Sequence, residues 1–345
     1  MSSVLSKVCL MDSIDSRSFD LSGSHYDIGL AIGRGSPPFV LPTWWPEPPP
    51  MPFATACARE IAAFHPGLLD ELYGHADGQA QRYEDLLRIV CRYRLGGRPV
   101  SVPEQGGCTS FAWRAPDGHV LVGRNYDFYP VQRIRQRIRL QPQGAYPTVG
   151  MRGSVPCGRY DGVNHAALFV SLHIVLAERV ESVRPGIPFH LIPRLLLETC
   201  ATVDQAIDKL MEIPHLHSFN YLLADADKFV SVECHSERVR IVYPKGDLLP
   251  VGNFYQHPDM ESLQRNRRQA ISRERVCYLV GKAWQRADAW ESVRAALTNH
   301  EFEVCGHTGG HTTLWSAMAD LTARRVAYTG NAPCLEPHQE IVWPA

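Results

Sequence analysis

The sequence predicts an α+β fold in which two stacked sheets are covered by helices. Three observations carry this. Strand-like runs fill residues 110 to about 180 and return at 219–243. Paired helical patterns lie at 188–213 and 262–298. A last hairpin spans 312–330. Strand blocks alternating with helix pairs bury one face of each sheet on the other and cover the outer faces with helices.

Taken in order, residues 1–36 read as short strands and turns. Residues 37–52, PPFVLPTWWPEPPPMP, hold too much proline for a helix interior or a central strand. They read as a connecting loop, with Trp44 and Trp45 making it a candidate lid over an apolar substrate. Residues 55–95 read as helical, because Leu72, Tyr73, Ala76, Ala80, Tyr83, Leu87 and Val90 recur at helical spacing. Thr202 and Gln205 make a capping-box start for the second helix of the 188–213 pair. Asp225-Ala226-Asp227-Lys228 reads as a hairpin turn between strands. The basic run Arg265 to Arg268 reads as a solvated helix face.

Composition excludes several classes. The formal net charge is −1 with both signs interspersed, so bulk charge points to no nucleic-acid partner. No stretch reaches the ~18 apolar residues of a membrane span, and the start lacks the long apolar segment of a signal peptide. Ten cysteines without paired spacing suggest reduced thiols in a cytoplasmic protein. There is no P-loop and no G-x-G-x-x-G, and no cofactor is expected.

The chemistry concentrates in residues 106–128, GGCTSFAWRAPDGHVLVGRNYDF. Ser110 to Arg114 and His119 to Val122 are strands joined by a Pro116-Asp117-Gly118 turn. The hairpin brings Cys108 toward Arg124 and Asp127. A thiol beside a cation and a carboxylate is a nucleophile candidate. An ordinary Arg124–Asp127 ion pair at a strand end is the plainer alternative. Gly106 and Gly107 free the backbone before the thiol. Attack by Cys108 on the preceding carbonyl, then hydrolysis, would leave Cys108 as a new N-terminus. Its α-amine, with an ordinary pKa of about 7.7–8.0, would be the base for its own thiol. Cys305-Gly306-His307-Thr308-Gly309-Gly310-His311 offers three metal-type ligands. The glycines argue against one helix carrying both histidines, so a loop near the site rim is expected and no metal. Asn164, Asn220 and Asn253 sit at strand boundaries, where turn chemistry is the simpler role.

These motifs together resemble the acyl-coenzyme A:6-aminopenicillin acyltransferase family of N-terminal-nucleophile (Ntn) hydrolases, with choloylglycine (linear-amide) hydrolases as more distant relatives. The resemblance rests on Gly23-Ser24-His25-Tyr26-Asp27-Ile28-Gly29 with Gly33, and on a precursor helix at Glu71 to Arg94. Further along, it rests on Gly107-Cys108-Thr109-Ser110, Asn125-Tyr126-Asp127-Phe128 and Gly162-Val163-Asn164-His165-Ala166-Ala167-Leu168. It ends with Gly252-Asn253-Phe254 and Thr313-Leu314-Trp315 to Asp320. It departs where Ala167 replaces a glycine, and where Gly309-Gly310 replaces the Ser-Arg of the penicillin acyltransferases.

The resemblance implies a four-layer αββα sandwich cleaved between Gly107 and Cys108. Residues 1–107 would be a propeptide-like chain that stays associated, and residues 108–345 the catalytic core. Cys108, Asp127, Arg124 and Asn253 would be catalytic, with Asn253 in the oxyanion hole. Ser110, Tyr126, Asn164 and Asn220 would bind substrate. The substrate would be a small N-acyl amide or acyl-thioester with an apolar acyl group, passed to water or to an amine acceptor, and Trp44, Trp45 and Trp315 offer aromatic surface for it. Two other readings stay open: a metal-dependent hydrolase using His307 and His311, and an uncleaved binding module.

Overall fold

The computed structural model describes residues 16–38, 47–92, 107–130, 134–153, 155–176, 183–264, 270–282, 284, 288–307 and 311–345. Trp44, Trp45, Arg265 to Arg268 and Gly309-Gly310 lie outside them. The elements are β1 (Ser18–Gly23), α1 (His25–Gly35), α2 (Met51–Phe64), α3 (Gly67–Gly78), α4 (Tyr83–Val90), β2 (Thr109–Arg114) and β3 (Val120–Phe128). Next come β4 (Gln136–Pro142), β5 (Thr148–Arg152), β6 (Asp161–Asn164), β7 (Phe169–Ile174), α5 (Ile192–Thr199) and α6 (Val203–Glu212). Then follow β8 (Phe219–Ala224), β9 (Phe229–His235), β10 (Arg238–Val242), β11 (Leu248–Val251) and a 3-10 turn at Pro258–Leu263. The chain closes with α7 (Ala270–Gly281), α8 (Ala289–Leu297), β12 (Thr312–Asp320), β13 (Arg325–Tyr328) and β14 (Gln339–Ile341).

The strands form an eight-stranded sheet, β1-β4-β5-β6-β7-β8-β9-β10, and a six-stranded sheet, β11-β2-β3-β12-β13-β14. Helices α5 and α6 pack on the first, α7 and α8 on the second, and β2 and β11 meet β8 and β9 across the middle. This is the α+β four-layer sandwich that the sequence predicts.

Strand alternation decides what reaches the middle. On β2 and β3, Phe111, Trp113 and Leu121 pack outward on Leu279, Val293, Ala296 and Leu297 of the covering helices. Their neighbours Ala112, Val120 and Val122 join the core between the sheets, as do Cys108 and Tyr126. Arg124 and Asp127 are three residues apart on β3 and so lie on opposite faces. The sequence-level idea of an ion pair between them is corrected by this parity.

The first 36 residues hold a helix, α1, rather than only strands and turns. Ser24 caps it by accepting from Asp27 N. The Gly29 and Gly33 of the opening motif form a seam with Gly74 and Gly78 of α3. A Cβ on Gly29 would lie 2.0 Å from Glu71 O, and one on Gly74 2.0 Å from Tyr26 O. Only glycine lets the two backbones approach so closely. The expected precursor helix at Glu71 to Arg94 is two helices, α3 and α4, broken where Ala80 takes φ +51°. The Pro-rich segment ends in α2 itself, with Pro52 in its first turn.

The segment before residue 108 is not a separate body. Its β1 pairs in parallel with β4, and Ala54, Cys57, Ile61 and Leu68 share the main core. Ala167, where the resembled motif has glycine, sits at φ +72°, a region that strains a non-glycine residue. Among the described residues, no helix is long and apolar enough to cross a membrane.

Candidate active site

The Pro116-Asp117-Gly118 turn closes as expected: Gly118 N donates to Ala115 O at 2.9 Å and Gly118 takes φ +89°. The β2–β3 ladder pairs Thr109 with Asn125. One residue earlier, Cys108 stands at the mouth of the hairpin, buried, with Sγ 4.0 Å from Asp127 O.

The two faces of β3 hold two separate charge groups. On the inter-sheet face, Arg124 Nε donates to Asp161 Oδ2 at 2.9 Å and Nη1 to Ser110 Oγ at 3.2 Å. The same nitrogen is 3.2 Å from His173 Nε2. Burial first, and then Arg124, holds His173 far below the usual imidazole range, so its Nε2 accepts. Asp161 also accepts from Trp315 Nε1 at 2.7 Å. Arg124 Nη2 is buried with no protein partner among the described residues.

On the opposite face, Asp127 Oδ2 pairs with Arg275 Nη1 at 2.7 Å and Oδ1 accepts from Thr313 Oγ1 at 2.7 Å. Burial raises the Asp127 carboxyl against the pull of Arg275 and Thr313. Arg275 Nη1 also donates to the carbonyl oxygen of Gly107 and lies 3.3 Å from Thr109 Oγ1. Burial also pushes the Cys108 thiol up; Arg124 opposes this and Asp127 adds to it. In the continuous chain, Cys108 is therefore a protonated thiol near neutral pH.

Asn253 comes to the same place from the loop after β11. Its Nδ2 donates to Ile174 O at 2.8 Å and its N to Ser272 Oγ at 2.9 Å. Ile174 O needs a donor, so the amide oxygen turns the other way, toward Gly107. A Cβ on Gly107 would lie 2.2 Å from that oxygen. Asn220 holds this loop, giving Nδ2 to Gly252 O at 3.0 Å and to Phe254 O at 2.7 Å.

The structure thus gathers Cys108, Asp127, Arg124, Asn253 and Gly107. It gives other work to the four residues expected to bind substrate. Ser110 is buried on Arg124 and Ser171. Tyr126 is buried and stacks on Trp315 at 3.9 Å between ring centroids. Trp315 is itself fully buried, so its ring is core and not exposed aromatic surface. Asn164 uses its whole amide on backbone: Nδ2 to Leu197 O and Cys200 O, and Oδ1 from Leu168 N. Asn220 secures the Asn253 loop. Turn chemistry, the simpler role, holds for Asn164 through its bond from Leu168 N. It does not hold for Asn220, which lies in β8 and braces a loop far along the chain.

Two site residues escape sequence reasoning, Arg275 and Asp161. Ser272, Arg275 and Leu279 are the buried residues of α7. That stripe has i, i+3, i+7 spacing with an arginine inside it, which is the signal a reader of the sequence could have used. His307 and His311 are not one donor set. His307 gathers with His300, Cys305 and Cys334, while the His311 ring lies 4.3 Å from that of Tyr129.

Residues 113–333 match the family described as acyl-coenzyme A:6-aminopenicillanic acid acyl-transferase. The chain belongs to this family. Membership places it among the acyltransferases and amide hydrolases of the Ntn type. No curated protein matches it. Among solved structures it is similar to penicillin V acylase from Agrobacterium tumefaciens, with 16% identity, 65% of this chain and 83% of that one covered, and a TM-score of 0.45. It is also similar to a Caenorhabditis elegans ortholog of N-acylethanolamine-hydrolyzing acid amidase, with 17% identity, 62% and 93% covered, and a TM-score of 0.49. A conjugated bile acid hydrolase from Clostridium perfringens has 16% identity, 65% and 89% covered, and a TM-score of 0.39.

Proposed function

We propose that the chain cleaves its own Gly107–Cys108 bond and then uses Cys108 as an N-terminal nucleophile on a small N-acyl amide or acyl-thioester. One observation carries the reading: Arg275 donates to the Gly107 carbonyl oxygen, where negative charge would develop, and is itself held by Asp127.

In the first stage the Cys108 sulfur attacks the Gly107 carbonyl carbon. Charge collects on the oxygen facing Arg275. The C–N bond to Cys108 breaks, the amine takes the thiol's proton, and a thioester remains. Water hydrolyses it, releasing the Gly107 carboxylate and a free Cys108. In the second stage the new α-amine takes the thiol proton, and the sulfur attacks the substrate carbonyl to form an acyl-thioester enzyme. The amine then protonates the leaving group. Water or an amine acceptor takes the acyl group. Arg124, with Nη2 uncommitted, stabilises the thiolate, and Asn253 lines the place where Gly107 stood. The described cysteines are all unpaired, which suits a cytoplasmic site of action.

Intact mass spectrometry tests this. Wild type should resolve into a 107-residue piece and the remaining 238 of 345 residues. Cys108→Ala should remain one chain. A wild-type chain still whole after long incubation overturns the reading. A panel of N-acyl amides and acyl-thioesters of graded length, with and without amines, then separates hydrolysis from transfer. Simple apolar acyl amides should turn over faster than penicillins.

A further inference from the structure

We propose that His300, Cys305, His307 and Cys334 form a structural zinc site beside the active site. Their ligating atoms all lie within 4.8 Å of one another. Cys305 Sγ is 3.3 Å from His307 Nε2, His307 Nε2 is 3.2 Å from Cys334 Sγ, and the two sulfurs are 3.6 Å apart. A tetrahedral ion with Zn–S of about 2.3 Å and Zn–N of about 2.0–2.1 Å spaces its ligands roughly 3.8 Å (S to S) and 3.5 Å (S to N) apart. The donors already stand near those separations. A disulfide would need the sulfurs at about 2.05 Å.

Two thiolates and two imidazoles select zinc over the hard, oxygen-preferring cations, and their charge neutralises it. Four protein ligands close the coordination sphere, which marks a structural role and leaves no open position for a metal-bound water. The ring of His307 is fixed from behind: its Nδ1 is 3.3 Å from Thr312 Oγ1, which leaves Nε2 for the metal. The loop after α8 is held by its own turns, with Cys305 N donating to Asn299 O at 2.9 Å and Phe302 N to Asn299 Oδ1 at 2.9 Å. Cys334 arrives from the segment between β13 and β14. The metal would tie these two connections together.

The clamp reaches the catalytic group through Gly306, which sits between two of the ligands. A Cβ there would lie 2.7 Å from Arg275 Nη2 and 2.9 Å from Asp127 Oδ2. Gly306 N donates to Thr313 Oγ1 at 3.0 Å, and that hydroxyl donates to Asp127 Oδ1. The ion therefore fixes the backbone that orients the partner of Asp127, without touching substrate.

The test uses the full protein, purified without chelator, and is independent of whether it self-cleaves. Elemental analysis should find about one zinc per chain. Co²⁺ added to the chelator-stripped, reduced protein should give tetrahedral visible bands and thiolate-to-cobalt absorption in the near ultraviolet. His300→Ala and Cys334→Ala should each lower bound zinc at least ~10-fold while the fold persists by circular dichroism. Cys277→Ala, which alters an exposed thiol outside the cluster, should keep the zinc. Stripping the metal should lower the melting temperature of wild type but not of Cys334→Ala. Reduced, folded wild type that binds neither Zn²⁺ nor Co²⁺ overturns the proposal. So does cobalt bound without thiolate absorption, or zinc content unchanged in both ligand variants.

Discussion

Arg275 donates to the carbonyl oxygen of Gly107 while its guanidinium is 2.7 Å from Asp127 Oδ2. The cation that meets the bond before Cys108 thus comes from α7, far along the chain. Arg275→Lys keeps a charge for Asp127 but loses the planar fork. Self-cleavage per folded molecule should slow by about 10²–10³-fold, as for loss of an oxyanion donor. Arg275→Ala strands a buried carboxylate and should also cost about 3–5 kcal/mol of stability. The rate at which the 238-residue piece appears, normalised to folded protein, checks this. Cleavage at the wild-type rate in folded Arg275→Lys removes the role.

Glu198 of α5 holds the early chain to the later one. His25 and His65 approach Glu198 Oε2 at 2.9 and 2.8 Å. Arg194 bridges Glu198 Oε1 at 2.5 Å and both oxygens of Glu71, at 3.0 and 2.6 Å. Burial raises the Glu198 carboxyl, but Arg194 and the two histidine hydrogen bonds win and hold it well below its usual range. Glu198→Ala leaves Arg194 buried and half-paired, and should destabilise by about 3–5 kcal/mol. If the chain is cut, the variant's two pieces should separate on size exclusion in denaturant where wild type still co-elutes. Unchanged denaturation and co-elution would show that the β1–β4 pairing and shared core suffice.

The sheets and their order of appearance were legible because hydrophobic alternation and turn residues are local signals. Asp225 takes its hairpin turn through bonds from Asp227 N and Lys228 N. Thr202 caps α6 as its capping box foretold, although Gln205 returns its bond to Ala201 N. The hairpin that brings Cys108 toward Asp127 was legible for the same reason. The partners of the site were not. Arg275 meets Gly107, and Asp161 meets Arg124, only through packing across layers, which no local pattern encodes. The face of each residue was available in principle: on a strand, residues three apart cannot share one. The seam of α1 and α3 shows the same limit, since the close approach of Gly29 and Gly33 to Gly74 and Gly78 is a helix-to-helix contact that neither local pattern states.

Asn253 and Asn220 should separate chemistry from support. Asn253 meets Gly107 directly, whereas Asn220 acts through the backbone at Gly252 and Phe254. Asn253→Ala removes the amide oxygen that faces Gly107 and the donor to Ile174 O. Turnover per folded molecule should therefore fall by about 10²-fold through lost positioning, with a stability loss of about 1–3 kcal/mol. Asn220→Ala should cost about 1–3 kcal/mol, because two buried carbonyls lose their donor, with turnover in the folded fraction falling less. Urea unfolding and kcat measured on one preparation of each variant check the contrast. Equal loss of kcat at equal stability in both would make the loop a single functional unit.

Glu233 gives a pH signature. It lies fully buried on β9 and accepts from Gln256 N at 2.5 Å and His257 N at 3.1 Å, just after the Asn253 loop. Burial outweighs those two donors and lifts its carboxyl to about 7. An unfolded glutamate titrates near about 4.3. Between those values the folded chain binds a proton that the unfolded chain has lost. The group's contribution is therefore fully present below the unfolded value and is lost as pH rises through the folded one. The loss is on the order of 3 kcal/mol by linkage. Glu233→Gln stays neutral and keeps an acceptor for one of the two backbone donors; the amide nitrogen facing the other adds a penalty that does not change with pH. Its unfolding free energy relative to wild type should therefore improve between about pH 5 and about pH 8. Urea midpoints of both proteins across that range give the difference directly. A constant difference across the range would place the Glu233 titration below pH 5 and discard its role as a pH-sensitive prop for the Asn253 loop.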